Sequence, residues 1–239
     1  MAAATHRRFP HLAPSARGMR AWARQHARGP ARALVRLPYR IPRLFSANEL
    51  NYALTQLRID EAAVLYRLLR SRRDPIVAEL GRYKGGTAFL FAAAGARVLS
   101  LDNDASGGQR QFDRALELSL VRLGLRERVE ITIADALAFP IGDRRFDLVL
   151  VHCNPTYEMA HSILDQWWPA VQPGGFLVFH DTPYLPGVGR LLGELLGRLP
   201  ELGAEIERNV PGENVLLRKL GTDATGLQSA AADSGSIER

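Results

Sequence analysis

Cysteine is nearly absent from this sequence. Cys153 stands alone among 239 residues, so neither a disulfide framework nor a cysteine-rich zinc site can form within one chain. A reducing, cytoplasmic setting fits that usage. Long hydrophobic runs are missing too. None approaches the roughly 20 residues that span a bilayer, and the N-terminal stretch lacks the apolar segment of a secretory signal. Lysine is scarce: Lys84 and Lys219 are the only two among 31 basic residues. Arginine number therefore reflects a compositional bias more than a function. Acid is absent from residues 1–47, which hold ten arginines, while the rest carries 21 basic and 25 acidic residues. The net charge of +6 is thus a basic arm attached to a mildly acidic body.

In residues 1–45, Pro10, Pro14, Pro30, Pro38 and Pro42 leave room for one short helix, around Ala16 to Arg28. The expectation is a flexible arm. Alternatives are a contact for an acidic surface or nucleic acid, or a mitochondrial presequence ending near Arg43-Leu44-Phe45-Ser46, which would place the protein in the matrix. Residues 46–74 read as a helical lead-in. Ser46 with Glu49 has capping-box spacing, and a second segment starts near Asp60 with Val64, Leu65, Leu68 and Leu69 on one stripe.

From Pro75 the pattern alternates short apolar runs with amphipathic helices. Strands are expected at Ile76 to Leu80, Arg97 to Leu101, Val129 to Ala134, Phe146 to Val151 and Gly175 to Phe179. Helices are expected at Lys84 to Ala94, along Phe112, Leu116, Leu120 and Leu123, along Met159, Ile163, Trp167 and Val171, and along Val188, Leu191, Leu195 and Leu199. Two more strands fit near Ala204 to Val210 and Asn214 to Leu220. Repeated βαβ units imply an α/β, doubly wound, Rossmann-like and mostly parallel sheet with helices on both faces. Residues 75–220 are the expected domain, and 221–239 a disordered polar tail.

Ligands of such sheets bind at the carboxyl ends of the strands. After the first strand the chain reads Glu79-Leu80-Gly81-Arg82-Tyr83-Lys84-Gly85-Gly86-Thr87. Tyr83 occupies the second glycine of the dinucleotide fingerprint, which argues against NAD or FAD, and Lys84 precedes the glycine pair, which argues against a P-loop. Asp102, followed by Asn103, ends the second strand, and Asp135-Ala136 follows the third. A carboxylate at Asp102 can take a ribose diol, and one at Asp135 an exocyclic amine. With Glu79 they would form a negative ring that disfavours phosphates and suits a sulfonium.

The 79–87 run resembles the first motif of class I S-adenosylmethionine-dependent methyltransferases, in the E-x-G-x-x-x-G-G-[ST] variant. Phe146-Asp147-Leu148-Val149, Trp167-Trp168-Pro169 and the run from Pro173 to Asp181 resemble the branch containing sugar and macrolide O-methyltransferases. The resemblance covers about residues 75–182. It implies a seven-stranded sheet with the last strand antiparallel, S-adenosyl-L-methionine as cofactor, and Glu79, Gly81, Tyr83, Gly85, Gly86, Thr87, Asp102, Asn103, Asp135 and Ala136 around it. The implied acceptor is a small molecule, a sugar or polyketide-like hydroxyl. His180 is then the first candidate base and His152 the second, with Asp181 orienting either.

That branch has D-G-D-H-[ST]-Y after the fourth strand, where this chain reads His152-Cys153-Asn154-Pro155-Thr156-Tyr157. Its carboxylates are gone, and Mg²⁺ needs hard oxygen donors, so a metal-independent reaction is expected. His152, His180 and Asp181 could form a two-histidine, one-carboxylate set, with no fixed spacing to support it. Asn154-Pro155-Thr156-Tyr157 also resembles the N-P-P-[YF] signature of amino-methyltransferases, which keeps a nucleic-acid- or protein-directed enzyme open. The altered 152–155 stretch keeps open a non-catalytic binding protein of the same fold.

Overall fold

The computed structural model describes residues 55, 57–105, 107–207 and 214–221. The basic arm, the Ser46–Glu49 capping pattern and nearly all of the polar tail lie outside the described residues. No helix among the described residues is long and apolar enough to cross a membrane.

Helix α1 spans Ile59–Arg70, with Asp60 and Glu61 in its first turn and Arg67 and Arg70 in its last, an order that suits the helix dipole. Its apolar stripe buries Ala62, Leu65 and Leu69. The order that follows is β1 (Ile76–Leu80), α2 (Gly86–Ala93), β2 (Arg97–Asp102), α3 (Gln109–Arg122), β3 (Val129–Ile133), β4 (Phe146–Val151), α4 (Tyr157–Trp167), β5 (Val171–Phe179), α5 (Pro186–Leu196), β6 (Ala204–Ile206) and β7 (Val215–Lys219).

The seven strands form one sheet in the order β3-β2-β1-β4-β5-β7-β6. Pairings from β3 through β5 are parallel. β7 runs antiparallel to both β5 and β6, as the resemblance implies. Parallel neighbours need crossover connections, and α2, α3 and α4 supply those from β1 to β2, β2 to β3 and β4 to β5. All six residues of β4 are buried, as expected of a central strand covered on both faces. Side chains alternate across the sheet. Leu148 and Leu150 pack with α1, α2 and α3 on one face and Val149 and Val151 with α4 and α5 on the other, which Phe146 joins because the β4–β5 register shifts between it and Leu148.

Two helix boundaries differ from the periodicity. The recurrence of Met159, Ile163, Trp167 and Val171 predicts one helix through Val171. Instead α4 stops at Trp167, a short 3₁₀ turn spans Trp168–Ala170, and Val171 opens β5. Pro169 lacks the amide that would continue the α-helical ladder. Leu199 likewise lies beyond α5, which ends at Leu196.

Candidate active site

The strand order reverses between β1 and β4, and loops leaving their carboxyl ends diverge there. A cavity of about 410 Å³ opens at that point. Its wall includes Gly81 and Tyr83 after β1, Asp102 and Asn103 at the end of β2, Asp135 and Ala136 after β3, and His152 and Asn154 after β4. Six of the ten residues expected around a cofactor therefore meet on one wall. Gly81 has φ +96°, and a Cβ there would lie 2.5 Å from the His152 carbonyl oxygen. Only glycine lets β1 leave the sheet so close to β4. Tyr83 also takes a left-handed φ of 49°. The position at which a dinucleotide site has glycine keeps a glycine-like backbone, at a cost on the order of 1–2 kcal/mol. Its ring meets Phe112 edge-on at 5.5 Å.

Asp102 holds this loop in place. Its Oδ2 accepts the amides of Arg82 at 3.0 Å and Tyr83 at 2.9 Å, and its Oδ1 accepts that of Asp104 at 2.9 Å. A carboxylate offers about four acceptor positions, so the backbone uses most of them. Asp135 Oδ1 accepts the Leu137 amide at 2.8 Å, closing a local turn.

Glu79 departs from the expected ring of charge. It is fully buried behind the cavity, where it accepts a hydrogen bond from the Ser100 hydroxyl. Burial pushes its carboxyl up to about 8. It therefore contributes little negative charge near neutrality, and the ring reduces to Asp102 and Asp135. Gly85, Gly86 and Thr87 also lie off the cavity wall, at the start of α2, where the buried Thr87 hydroxyl pairs with that of Thr55 at 2.9 Å.

Arg82 is a residue that the sequence reading missed. Its buried guanidinium forms a two-pronged pair with Asp113 of α3, at 2.8 and 2.9 Å, and also donates to the carbonyls of Ser100 and Thr132. One side chain thus ties the loop to β2, β3 and α3. Nothing in the spacing of Arg82 and Asp113 signals this pairing, because it depends on where α3 lies.

At the ends of β4 and β5, the rings of His152 and His180 meet edge-on with centroids 4.3 Å apart. His180 Nδ1 lies 3.0 Å from Asp181 Oδ1, and Nε2 lies 3.3 Å from Glu61 Oε2 of α1. Burial works against a charge on His180, but the Asp181 and Glu61 carboxylates raise it to about 9. Burial, then the neighbouring His180, pushes His152 down to about 4. His180 is buried and off the cavity wall, whereas His152 is on it. His180, the first candidate base, thus has carboxylates at both nitrogens and lies off the cavity wall, while His152, the second, lies on it. Glu61 is the second residue of this region missed, since in sequence it reads only as a first-turn acid.

Two motif residues turn out to be structural. Asp147 lies at the opposite end of the sheet, where it pairs with Arg72 at 2.7 Å and accepts the Ile76 amide at 2.8 Å. Tyr157 does not line the cavity. Its hydroxyl donates to Glu194 at 2.7 Å, and Arg190 lies 4.0 Å from its ring centroid.

Residues 78–182 match the family model of a methyltransferase domain. Residues 78–182 thus carry a methyltransferase domain. No curated protein matches in sequence. Among solved structures, a methyltransferase from Geobacter sulfurreducens aligns at 20% identity over 82% of this chain and 91% of that one, with a TM-score of 0.59. The O-methyltransferase TomG of Streptomyces achromogenes aligns at 19% identity over 74% and 87%, with a TM-score of 0.53. A SAM-dependent O-methyltransferase from Thermotoga maritima aligns at 16% identity over 73% and 70%, with a TM-score of 0.51. Likeness at such identities establishes the shared fold. The residues present fit the cofactor of this methyltransferase domain. The cavity has the size of a small-molecule site, the Gly81 turn brings the chain close to β4, and the wall carries carboxylates rather than phosphate-binding groups.

Proposed function

We propose that the protein transfers the methyl group of S-adenosylmethionine to a hydroxyl oxygen of a small molecule. The observation that carries this reading is His152. It stands on the cavity wall, and its buried Nε2 has no hydrogen-bond partner. TomG, which shares the fold, is an O-methyltransferase involved in tomaymycin synthesis and was solved in complex with SAM. The displacement of Tyr157 towards α5 removes support for the amino-methyltransferase resemblance.

Bound cofactor supplies an electrophilic methyl on a sulfonium. The chain supplies placement, which accounts for much of the rate in a two-reactant displacement. The acceptor position left on Asp102 would take the ribose hydroxyls and Asp135 the adenine amine, and the Gly81 turn and the Tyr83 ring would hold the cofactor against the loop. The acceptor oxygen would take that methyl in place of the sulfur, and this chain's part is to place the two reactants in line. The hydroxyl proton would pass to His152 Nε2, while Asp181 and Glu61 fix the neighbouring His180 ring.

The test has two parts. Calorimetry should show binding of S-adenosylhomocysteine and none of NAD. A panel of hydroxylated sugars and aromatic or polyketide-like alcohols should then give methyl ethers, detected by mass spectrometry. Transfer to amines, RNA or protein in place of hydroxyls would overturn the acceptor class.

A further inference from the structure

We infer that Asn214 determines acceptor specificity, and that it selects a polyol, a molecule with free hydroxyls beside the one that is methylated. The inference rests on the hydroxyl-acceptor reading above and narrows its substrate class.

Strand register places Asn214 beside the candidate base. Val151 of β4 pairs with Phe179 of β5, and Phe179 pairs with Val215 of β7. The residues one step further out, His152, His180 and Asn214, therefore form a row across three neighbouring strands. Leu150, Val178 and Leu216 lie one alternation inward and pack together on the α1 face of the sheet, so the polar row extends that face. The 4.3 Å ring contact of His152 with His180 and the 3.3 Å approach of Glu61 to His180 agree with this placement. The row starts at the cavity wall, where His152 stands, and ends at Asn214.

Hydrogen bonding then singles out Asn214. The buried side-chain atoms without a partner among the described residues are Glu79 Oε1, His152 Nε2, His180 Nδ1, and both Nδ2 and Oδ1 of Asn214. All but the first belong to this row. Orphaned buried polar atoms are rare, and each calls for a missing partner. The His180 ring at least faces carboxylates, Asp181 at 3.0 Å and Glu61 at 3.3 Å. Asn214 is only 7% exposed, and neither of its amide atoms is paired. A leucine of similar shape would fill that space without the desolvation cost.

The cavity points to the same place. Its carboxylates, Asp102 and Asp135, follow β2 and β3, and its volume of about 410 Å³ is at the low end for a ligand site. A nucleoside-bearing cofactor takes up that side. The acceptor then lies beyond His152, over β5 and β7, where the row runs. His152 and Asn214 are two strand spacings apart, about 10 Å, which suits one small molecule reaching from the base to the carboxamide. A carboxamide donates from nitrogen and accepts at oxygen. Hydroxyls on neighbouring carbons supply both partners, one accepting from Nδ2 and the next donating to Oδ1. Ethers and ketones only accept, so they leave Oδ1 buried and unpaired, and an isolated hydroxyl leaves both atoms so.

The test compares methyl glycosides with their deoxy and O-methyl counterparts on the full chain. Acceptor binding is read by calorimetry on protein loaded with S-adenosylhomocysteine, and methyl transfer by mass spectrometry. The wild type should favour the polyols roughly 10–100-fold in both affinity and kcat/KM. Asn214→Leu should bring both ratios close to one, keep the affinity for S-adenosylhomocysteine, and melt no lower than the wild type. A leucine variant that melts higher and keeps the polyol preference would assign Asn214 to packing or to a buried water and overturn the inference. So would a wild type that binds polyols and their deoxy counterparts equally. Polyol binding that Asn214→Leu abolishes, without methyl transfer to any hydroxyl, would sink the transfer reading and leave this recognition site standing.

Discussion

Glu61 Oε2 lies 3.3 Å from His180 Nε2, although 119 residues separate them in the chain. The same oxygen accepts the Arg58 amide at 2.7 Å and so caps α1. One buried carboxylate therefore fixes both the start of the lead-in helix and the ring at the end of β5. Glu61→Gln keeps an oxygen for the cap, whereas Glu61→Ala loses both contacts. Losing the cap costs about 1 kcal/mol, and leaving a buried group unpaired adds roughly 1–3 kcal/mol. Urea denaturation should place the alanine variant well below the glutamine variant. Equal midpoints would show that the cap contributes nothing.

Asp102→Ala should weaken S-adenosylhomocysteine at least tenfold, because charge-assisted hydrogen bonds contribute about 1.5–3 kcal/mol. It should also lower the melting temperature by several degrees, since three backbone amides lose their acceptor. Calorimetry and a thermal scan separate the two effects. A lower melting temperature with unchanged affinity would make Asp102 a loop residue only.

Arg82→Ala leaves Asp113 without its buried partner. Breaking such a pair costs about 3–5 kcal/mol, a large share of a domain's stability. Arg82→Lys should recover little, because a lysine cannot reproduce the two-pronged contact. Replacing both partners with apolar residues should recover most of the loss. A double variant no better than Arg82→Ala would assign the cost to the Ser100 and Thr132 carbonyls instead.

Glu79 gives a pH dependence. Its carboxyl is raised in the folded chain to about 8 from an ordinary value near 4.5. Between those values the folded state holds a proton that the unfolded state has released. Stability from this group is therefore complete below pH ~4.5 and falls as pH rises towards 8. Glu79→Gln should be flat over that window. Its melting temperature should exceed the wild type's by several degrees at pH 8.5 and approach it at pH 5. Parallel profiles would place the Glu79 carboxyl in contact with water.

The sheet and its covering helices were legible because alternating strands and 3.6-residue stripes are local. So was the glycine loop, whose residues are contiguous and whose Gly81 must pass within van der Waals distance of β4. The placement of Asp102 and Asp135 at strand ends also followed from the βαβ order. The helix ending at Trp167 was misjudged because apolar spacing continues past Pro169, and spacing carries no record of a missing amide.

What the sequence determined by itself was a doubly wound, mostly parallel sheet, since that follows from the order of elements along the chain, while the methyltransferase reading came from the resemblance of contiguous motif residues. Only the tertiary structure decided the charge and reach of individual groups. Glu79 looked like a cavity carboxylate until burial raised it to about 8. Arg82 and Asp113, 31 residues apart, became one tie only when α3 packed against the loop. His152, His180 and Glu61 became a cluster only when β4 paired with β5 and α1 settled over them. Hydrogen bonding and desolvation depend on distances of a few ångströms, and those are set by packing between elements far apart in sequence.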